Sequence, residues 1–290
     1  MVMDAGVLLL VLLAAVLHAS WNALVKAGED KLVMQTLVIC VHGYLAMPLL
    51  FFLPLPDPAS WPYLGLSAMI HFVYYAGVIG AYRHGDLSQV YPIARGSAPA
   101  LVALGAWLLA GEALSTVELL GVFTVSLGIV SLTGLAGRRG QGGPGDGREA
   151  KAVGFALLTG ATIASYSLAD GLGVRESGHA LSYILWLFAL EAVPLTAFAL
   201  WRRRGRVVAA FKPHLKAGAI GSLLSGLAYG IVIWAMSVAP MAHVVALRET
   251  SVVIAAIIGT RLLREPFGRK RIAAAAVVAA GAVLLETGGL

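Results

Sequence analysis

The chain has 290 residues, 59% of them hydrophobic and 12% charged, with a mean hydropathy of +0.85; so little polar surface cannot cover a soluble globule of this length, and an integral membrane protein is expected. The net charge of +6 does not point to nucleic acid, because the basic residues sit in short loops between apolar runs rather than on a face interleaved with aromatics. A single cysteine, Cys40, excludes an internal disulfide, and no group of Cys, His and carboxylate has metal-ligand spacing, so neither a metal nor another cofactor is expected.

Crossing about 30 Å of hydrocarbon takes about 20 helical residues. Ten apolar segments of that size follow one another, at 4–26, 32–53, 61–83, 86–110, 114–136, 151–172, 178–202, 214–237, 240–263 and 267–287. The first lacks a basic leader and is longer than the apolar part of a signal peptide, so it reads as a membrane span. Pro54 opens the PLPDPAS break, Arg83 the tight RHGD turn and Gly111 the GEALS break, and the Gly-rich, charged stretch from Arg138 to Lys151 is a linker between halves. The expected organisation is a first five-helix repeat at 1–137, a cytoplasmic linker at 138–151 and a second five-helix repeat at 152–290, all in one transmembrane domain.

The halves are related by a gap-free internal repeat with an offset of 153 residues. It superimposes Arg95 on Arg248, Glu112 on Glu265 and Gly128 on Gly281. Five is an odd number of crossings, so the second repeat must enter the membrane the opposite way up. Charge tests this independently: the loop after the fourth span carries no Lys or Arg while its mate carries Arg264, Arg269, Lys270 and Arg271. Likewise, the loop after the second span has none, while its mate has Arg202, Arg203, Arg204, Arg206, Lys212 and Lys216. Nearly all loop cations thus fall on one side, with Arg175 on the other, and positive-inside logic puts both termini outside. The expected fold is all-α integral membrane: ten transmembrane helices in two inverted five-helix repeats.

An arginine at the centre of a bilayer costs about 3 kcal/mol on insertion scales, so two at equivalent positions imply a function. Arg95 and Arg248 each lie about eight or nine residues into their spans, about 12 to 14 Å deep at 1.5 Å per residue. Equivalent residues at half depth converge on the cavity between inverted repeats, and guanidinium forks suit carboxylate, phosphate or phosphonate oxygens. The bland alternative is that each arginine pairs with an internal carboxylate, for which Glu249 is the nearest candidate. Glu191, in the middle of the seventh span, is the candidate for carrying a coupling proton or meeting a substrate ammonium; the alternative is that it neutralises an arginine. Asp170 and Glu286 read as shallow and interfacial. His18 and Asn22, one turn apart beside Trp21, offer a polar stripe on the first span, and Ser165-Tyr166-Ser167 is its mate on the sixth. Tyr91 stands one turn before Arg95, and Pro92 and Pro99 suggest a kinked fourth span lining a cavity. His42, His71 and His243, and Tyr74 and Tyr75 after His71, read as packing.

The Gly111-Glu112 ending of the fourth span, its mate Arg264-Glu265-Pro266, and the Gly-bearing runs LLGVFTVSLGIVSL and IAAAAVVAAGAVLL behind them resemble the EamA-type drug/metabolite transporter superfamily over essentially the full chain. That resemblance implies ten helices in inverted five-helix repeats and a carrier, without naming a cargo. Two departures stand out. Members usually keep both termini inside, and small multidrug relatives place a carboxylate in the first helix where this chain has His18 in LLAAVLHASWN. HASWNALVK and VYPIARGSAP give a weaker likeness to members associated with phosphonate utilisation.

No nucleophile elbow, HExxH or phosphate-cradling loop is present, so no enzyme is expected. The expected protein is a multi-pass secondary transporter of the plasma (inner) membrane. It carries a small organic anion or zwitterion, such as an amino acid, carboxylate, phosphonate or phosphate ester, by alternating access, coupled to protons or to counter-substrate. The substrate-binding candidates are Arg95, Arg248, Tyr91, His18, Asn22 and Glu249, with Glu191 for the proton. The alternative is a carrier or exporter of organic cations or amphiphilic drugs, in which Glu191 and Glu249 bind the cation and the arginines are structural. The partners expected are a small-molecule substrate, the lipid bilayer and protons, and no nucleic acid.

Overall fold

A computed structural model describes residues 3–28, 30–84, 87–131, 148–203, 207–254, 257 and 269–288. Among them the chain is helical with no strand. Its helices are α1 (Ala5–Ala27), α2 (Lys31–Leu49), α3 (Trp61–His84), α4 (Leu87–Ala110), α5 (Thr116–Ser131), α6 (Arg148–Glu176), α7 (Ala180–Arg203), α8 (Leu215–Val238), α9 (Met241–Arg248) and α10 (Arg269–Thr287). A five-residue helix, Val207–Phe211, precedes α8.

Local sequence sets the helix starts. The Asp4 carboxylate accepts from the Gly6 and Val7 amides at 2.8 and 3.4 Å, and Asp30 accepts from Val33 at 3.2 Å, which satisfies amides that a helix N-terminus leaves bare. Ser115 and Glu118 form a reciprocal capping box: the Ser115 amide donates to Glu118 Oε2 at 2.6 Å, and the Glu118 amide donates to Ser115 Oγ at 3.2 Å. This box sets the start of α5 at Thr116.

Five of the helices meet the length and apolarity of a membrane span among the described residues: Ala5–Val25, Leu32–Phe52, Pro92–Ala110, Ala180–Arg202 and Ala209–Val238; Thr116–Ser131 and Ile272–Thr287 are shorter apolar helices. Their surfaces are those of an integral multi-pass membrane protein. Leu9, Trp107, Leu108, Leu127, Trp201 and Leu223 stand exposed around the bundle, while Arg95, Asp170, Glu191, Arg248 and Glu249 are buried inside it.

The helices pair as α5 with α10, α2 with α7, α3 and α4 with α6, and α8 and α9 with α1. Small residues let them approach closely. A Cβ added at Gly281 of α10 would lie 2.7 Å from the Val125 amide nitrogen and 2.9 Å from the Gly121 carbonyl oxygen of α5, so backbone meets backbone at that crossing.

Three boundaries differ from those expected. Helix α6 begins at Arg148, inside the expected linker, and runs to Glu176, four residues past its expected end. Charged residues can occupy helix ends that project beyond the hydrocarbon, and its 29 residues span about 43 Å. The remainder of the linker, 138–147, lies outside the described residues, as do the end of the fifth span at 132–136, Arg264, Glu265 and most of the ninth span beyond Ile254. Helix α4 is continuous through Pro92 and Pro99. An interruption lies instead after α9: regular helix stops at Arg248, and 249–250 form a turn before helix resumes at 251–254. There the amides of Thr250, Val252 and Val253 bond three residues back, to Leu247, Glu249 and Thr250.

Candidate functional site

Arg95 and Arg248, 3% and 2% exposed, converge on one carboxylate. Arg95 Nε lies 2.7 Å from Glu249 Oε2, and Arg248 Nη2 donates to Glu249 Oε1 at 3.1 Å. Glu249 itself is fully buried. The turn at 249–250 matters here, because it presents Glu249 and Ser251 to Arg95 from a helix that would otherwise continue past it. Arg95 Nη2 also donates to Ser251 Oγ at 3.3 Å and to His18 Nε2 at 3.1 Å. Arg95 is therefore held at once by α1 and by the turn and short helical segment that follow α9.

Arg248 is held less completely. Its Nε, buried, makes no hydrogen bond among the described residues, and its one ion-pair partner there is Glu249. It lies within electrostatic reach of Tyr166, Tyr229, His71 and Asp170. Two guanidinium groups against one carboxylate leave this node with one positive charge in excess.

On the far side of Tyr166 and Tyr229 lies a second polar cluster. Asp170, 0% exposed, accepts from Tyr183 Oη at 3.1 Å and from Tyr229 Oη, and it also takes the Ser67 hydroxyl. His71 stacks on Tyr166 with ring centroids 4.0 Å apart, and meets Tyr229 edge to face. Its Nδ1 sits 3.0 Å from the Ser67 carbonyl oxygen, 3.2 Å from Ser67 Oγ and 3.1 Å from Glu191 Oε1. Since a carbonyl can only accept, this nitrogen carries the hydrogen.

The expected residues are thus brought together in part. Arg95, Arg248, Glu249 and His18 meet. Asn22 does not join them: its amide donates to the His18 carbonyl at 2.8 Å, within its own helix. The Tyr91 side chain lies outside the described residues, as does that of Tyr75. Glu191 does not neutralise an arginine among the described residues; it pairs with His71. Asp170, expected near a helix end, is fully buried among the helices, six residues before the end of α6. Ser67, Tyr183 and Tyr229 were not singled out from the sequence, where a serine or tyrosine in an apolar run carries no distinctive signal. Their shared feature, a hydroxyl aimed at Asp170, exists only in three dimensions.

A polar clasp lies at helix ends away from this interior. Arg175, at the end of α6, donates from Nε to the Met236 carbonyl at 2.8 Å and from Nη2 to the Ala239 carbonyl at 3.0 Å, and its Nη2 lies 2.6 Å from Glu112 Oε1. The other Glu112 oxygen accepts from the Met241 amide at 2.8 Å, at the start of α9.

The EamA-like transporter family matches residues 150–287. Among curated proteins, none matches the sequence. A crystal structure described only as that of a protein superposes on 96% of this chain and 94% of its own length, with a TM-score of 0.72 and 15% sequence identity; at that identity the likeness speaks for the fold. Through residues 150–287 the chain is similar to the EamA-like transporters, which bears out its resemblance to the drug/metabolite transporter superfamily.

Proposed function

We propose that this protein is a secondary active transporter of a small organic anion or zwitterion, an amino acid, carboxylate, phosphonate or phosphate ester, working by alternating access in the plasma (inner) membrane. The family match supports the coarser part, a membrane transporter of small molecules. What supports the anion is Arg248: a buried guanidinium that shares its counter-ion with Arg95, and whose Nε has no hydrogen bond among the described residues, can take a carboxylate or phosphonate oxygen with a charge-assisted bond. Arg95, His18 and Glu249 hold that group in place. The cation alternative is disfavoured, because both oxygens of Glu249 are already occupied by arginines.

The ten helices act in this reading as two inverted repeats. The pairings α3 with α6 and α8 with α1 exchange when each helix is replaced by its repeat mate, as do α4 with α6 and α9 with α1. Equivalent hydroxyls also do the same work: Ser97 Oγ donates to the Ala94 carbonyl and Thr250 Oγ1 to the Leu247 carbonyl. Proton coupling through Glu191, or exchange against counter-substrate, completes the proposal.

The test is a thermal-shift screen of the detergent-purified protein against metabolites sorted by charge, since a ligand of the folded state stabilises it. Anions or zwitterions should raise Tm in wild type and lose that effect in Arg248→Ala. Stabilisation by cations alone would overturn the reading.

A further inference from the structure

Among the described residues the interior holds more acid than the arginines balance. Arg95 and Arg248 face three buried carboxyl groups, Glu249, Asp170 and Glu191, so with all five ionised the set would carry one uncompensated negative charge. An uncompensated ion in a low-dielectric interior costs several kcal/mol, far more than holding one proton. Glu249 cannot be that proton's site, since each of its oxygens faces a guanidinium. Asp170 and Glu191 remain, within electrostatic reach of one another.

Polar groups lie between these two carboxyls. The Ser67 hydroxyl is within electrostatic reach of Asp170, its Oγ lies 3.2 Å from His71 Nδ1, and that nitrogen lies 3.1 Å from Glu191 Oε1; Tyr229, which donates to Asp170, meets the His71 ring edge to face. We propose that Asp170, Ser67, His71 and Glu191 form a proton-holding chain that stores one proton in the resting protein and takes up a second when an anion docks on Arg248. The second half of this statement rests on the anion reading above; the first does not.

The groups facing the chain come from each helix packed on it: Tyr166 of α6, Tyr183 of α7, Tyr229 of α8, Arg248 of α9 and Cys40 of α2. Their arrangement selects a proton over a substrate ammonium. Both oxygens of Asp170 already accept from phenols, and every member of the chain is buried, so an ammonium would have to displace existing bonds. A proton forms one O–H bond on a carboxylate, arrives from water and requires no space. Neutrality then fixes the stoichiometry at one proton per anionic charge bound, with the anion and the proton travelling together.

Infrared difference spectroscopy on the full chain in nanodiscs, without ligand, tests the resting proton. At neutral pH, wild type should show a protonated-carboxyl C=O band that shifts in D2O. Asp170→Asn and Glu191→Gln, both near-isosteric, should each remove or displace it. A wild type without such a band, or a band indifferent to both substitutions, overturns the proposal; the wild-type measurement stands even if a variant fails to fold. Methylphosphonate then probes the second proton, with proteoliposomes carrying a trapped pH indicator. Uptake of one proton per anionic charge supports the chain, and accumulation of methylphosphonate without proton movement overturns its coupling role. If methylphosphonate neither binds nor moves, the anion reading fails for this ligand class, while the infrared band still decides whether the resting proton is there.

Discussion

Helices α4 and α9 carry two arginines that align in the sequence at an offset of 153 residues, yet they hold them differently. Arg95 sits in an unbroken helix and is gripped by Glu249, Ser251 and His18, whereas Arg248 ends a stretch of regular helix and shares Glu249 with an Nε left over. The residue after each arginine accounts for much of this. In α4 it is Gly96, where an added Cβ would lie 2.9 Å from the Ser126 carbonyl oxygen of α5, so no side chain fits; in α9 it is Glu249, aimed inward. The difference at this one neighbouring position supplies a single acid for two cations. Arg95 has become the fixed half of the pair, and Arg248 the half with bonding capacity to spare.

Removing the shared acid should erase the difference between the two arginines and have the largest effect. Breaking a buried ion pair by deleting one partner costs about 3 to 5 kcal/mol, so Glu249→Gln should lower Tm more than any other single change at the site, and added methylphosphonate should recover part of the loss. A Tm equal to that of wild type would mean that the carboxylate is not the counter-ion of either arginine. Next come the arginines themselves. Arg248→Ala should weaken anion binding by more than about tenfold, since a charge-assisted hydrogen bond contributes about 1.5 to 3 kcal/mol. Arg95→Ala should instead show its larger effect on Tm. Binding isotherms and melting curves for the pair separate these outcomes, and identical profiles for the two variants would dissolve the distinction. The smallest effect is expected behind Arg95, at Gly160 of α6. A Cβ there would lie 2.8 Å from the Ala94 carbonyl oxygen and collide with the Ser97 side chain, so Gly160→Ala should cost about 1 to 3 kcal/mol by overpacking, read as a shift in Tm.

Sequence carried the outline of this molecule because hydrocarbon is a strict solvent. Apolar runs had to be helices, and two arginines within them had to mean something, so Arg95, Arg248 and Glu249 were legible before any coordinates. Depth was harder to read. Asp170 reads as shallow beside an expected helix end at 172; α6 runs on to Glu176, so Asp170 lies about 9 Å from that end at 1.5 Å per residue. Proline chemistry predicts a kink at Pro92 and Pro99 rather than a break at 249–250. The break occurs in a segment without proline, where tertiary bonds from Arg95 to Glu249 and Ser251 accompany the turn. The Tyr183, Tyr229 and Ser67 hydroxyls left no pattern along the chain, since they come from three different helices and share only their target.

The clasp of Glu112 and Arg175 ties together the ends of α4, α6 and α8 and the first turn of α9, the helix that carries Arg248. Any rearrangement that parts these ends has to separate that ion pair, and Arg175 is 29% exposed, so mobile ions reach it. Salt screens this ion pair: the Debye length falls from about 10 Å at 0.1 M to about 3 Å at 1 M, and under the proposed alternating access the barrier to parting these ends falls with it. Exchange rates in proteoliposomes should climb with potassium chloride on the side bearing Glu112, and Glu112→Gln should flatten that climb, making ionic strength a handle on one gate of the cycle.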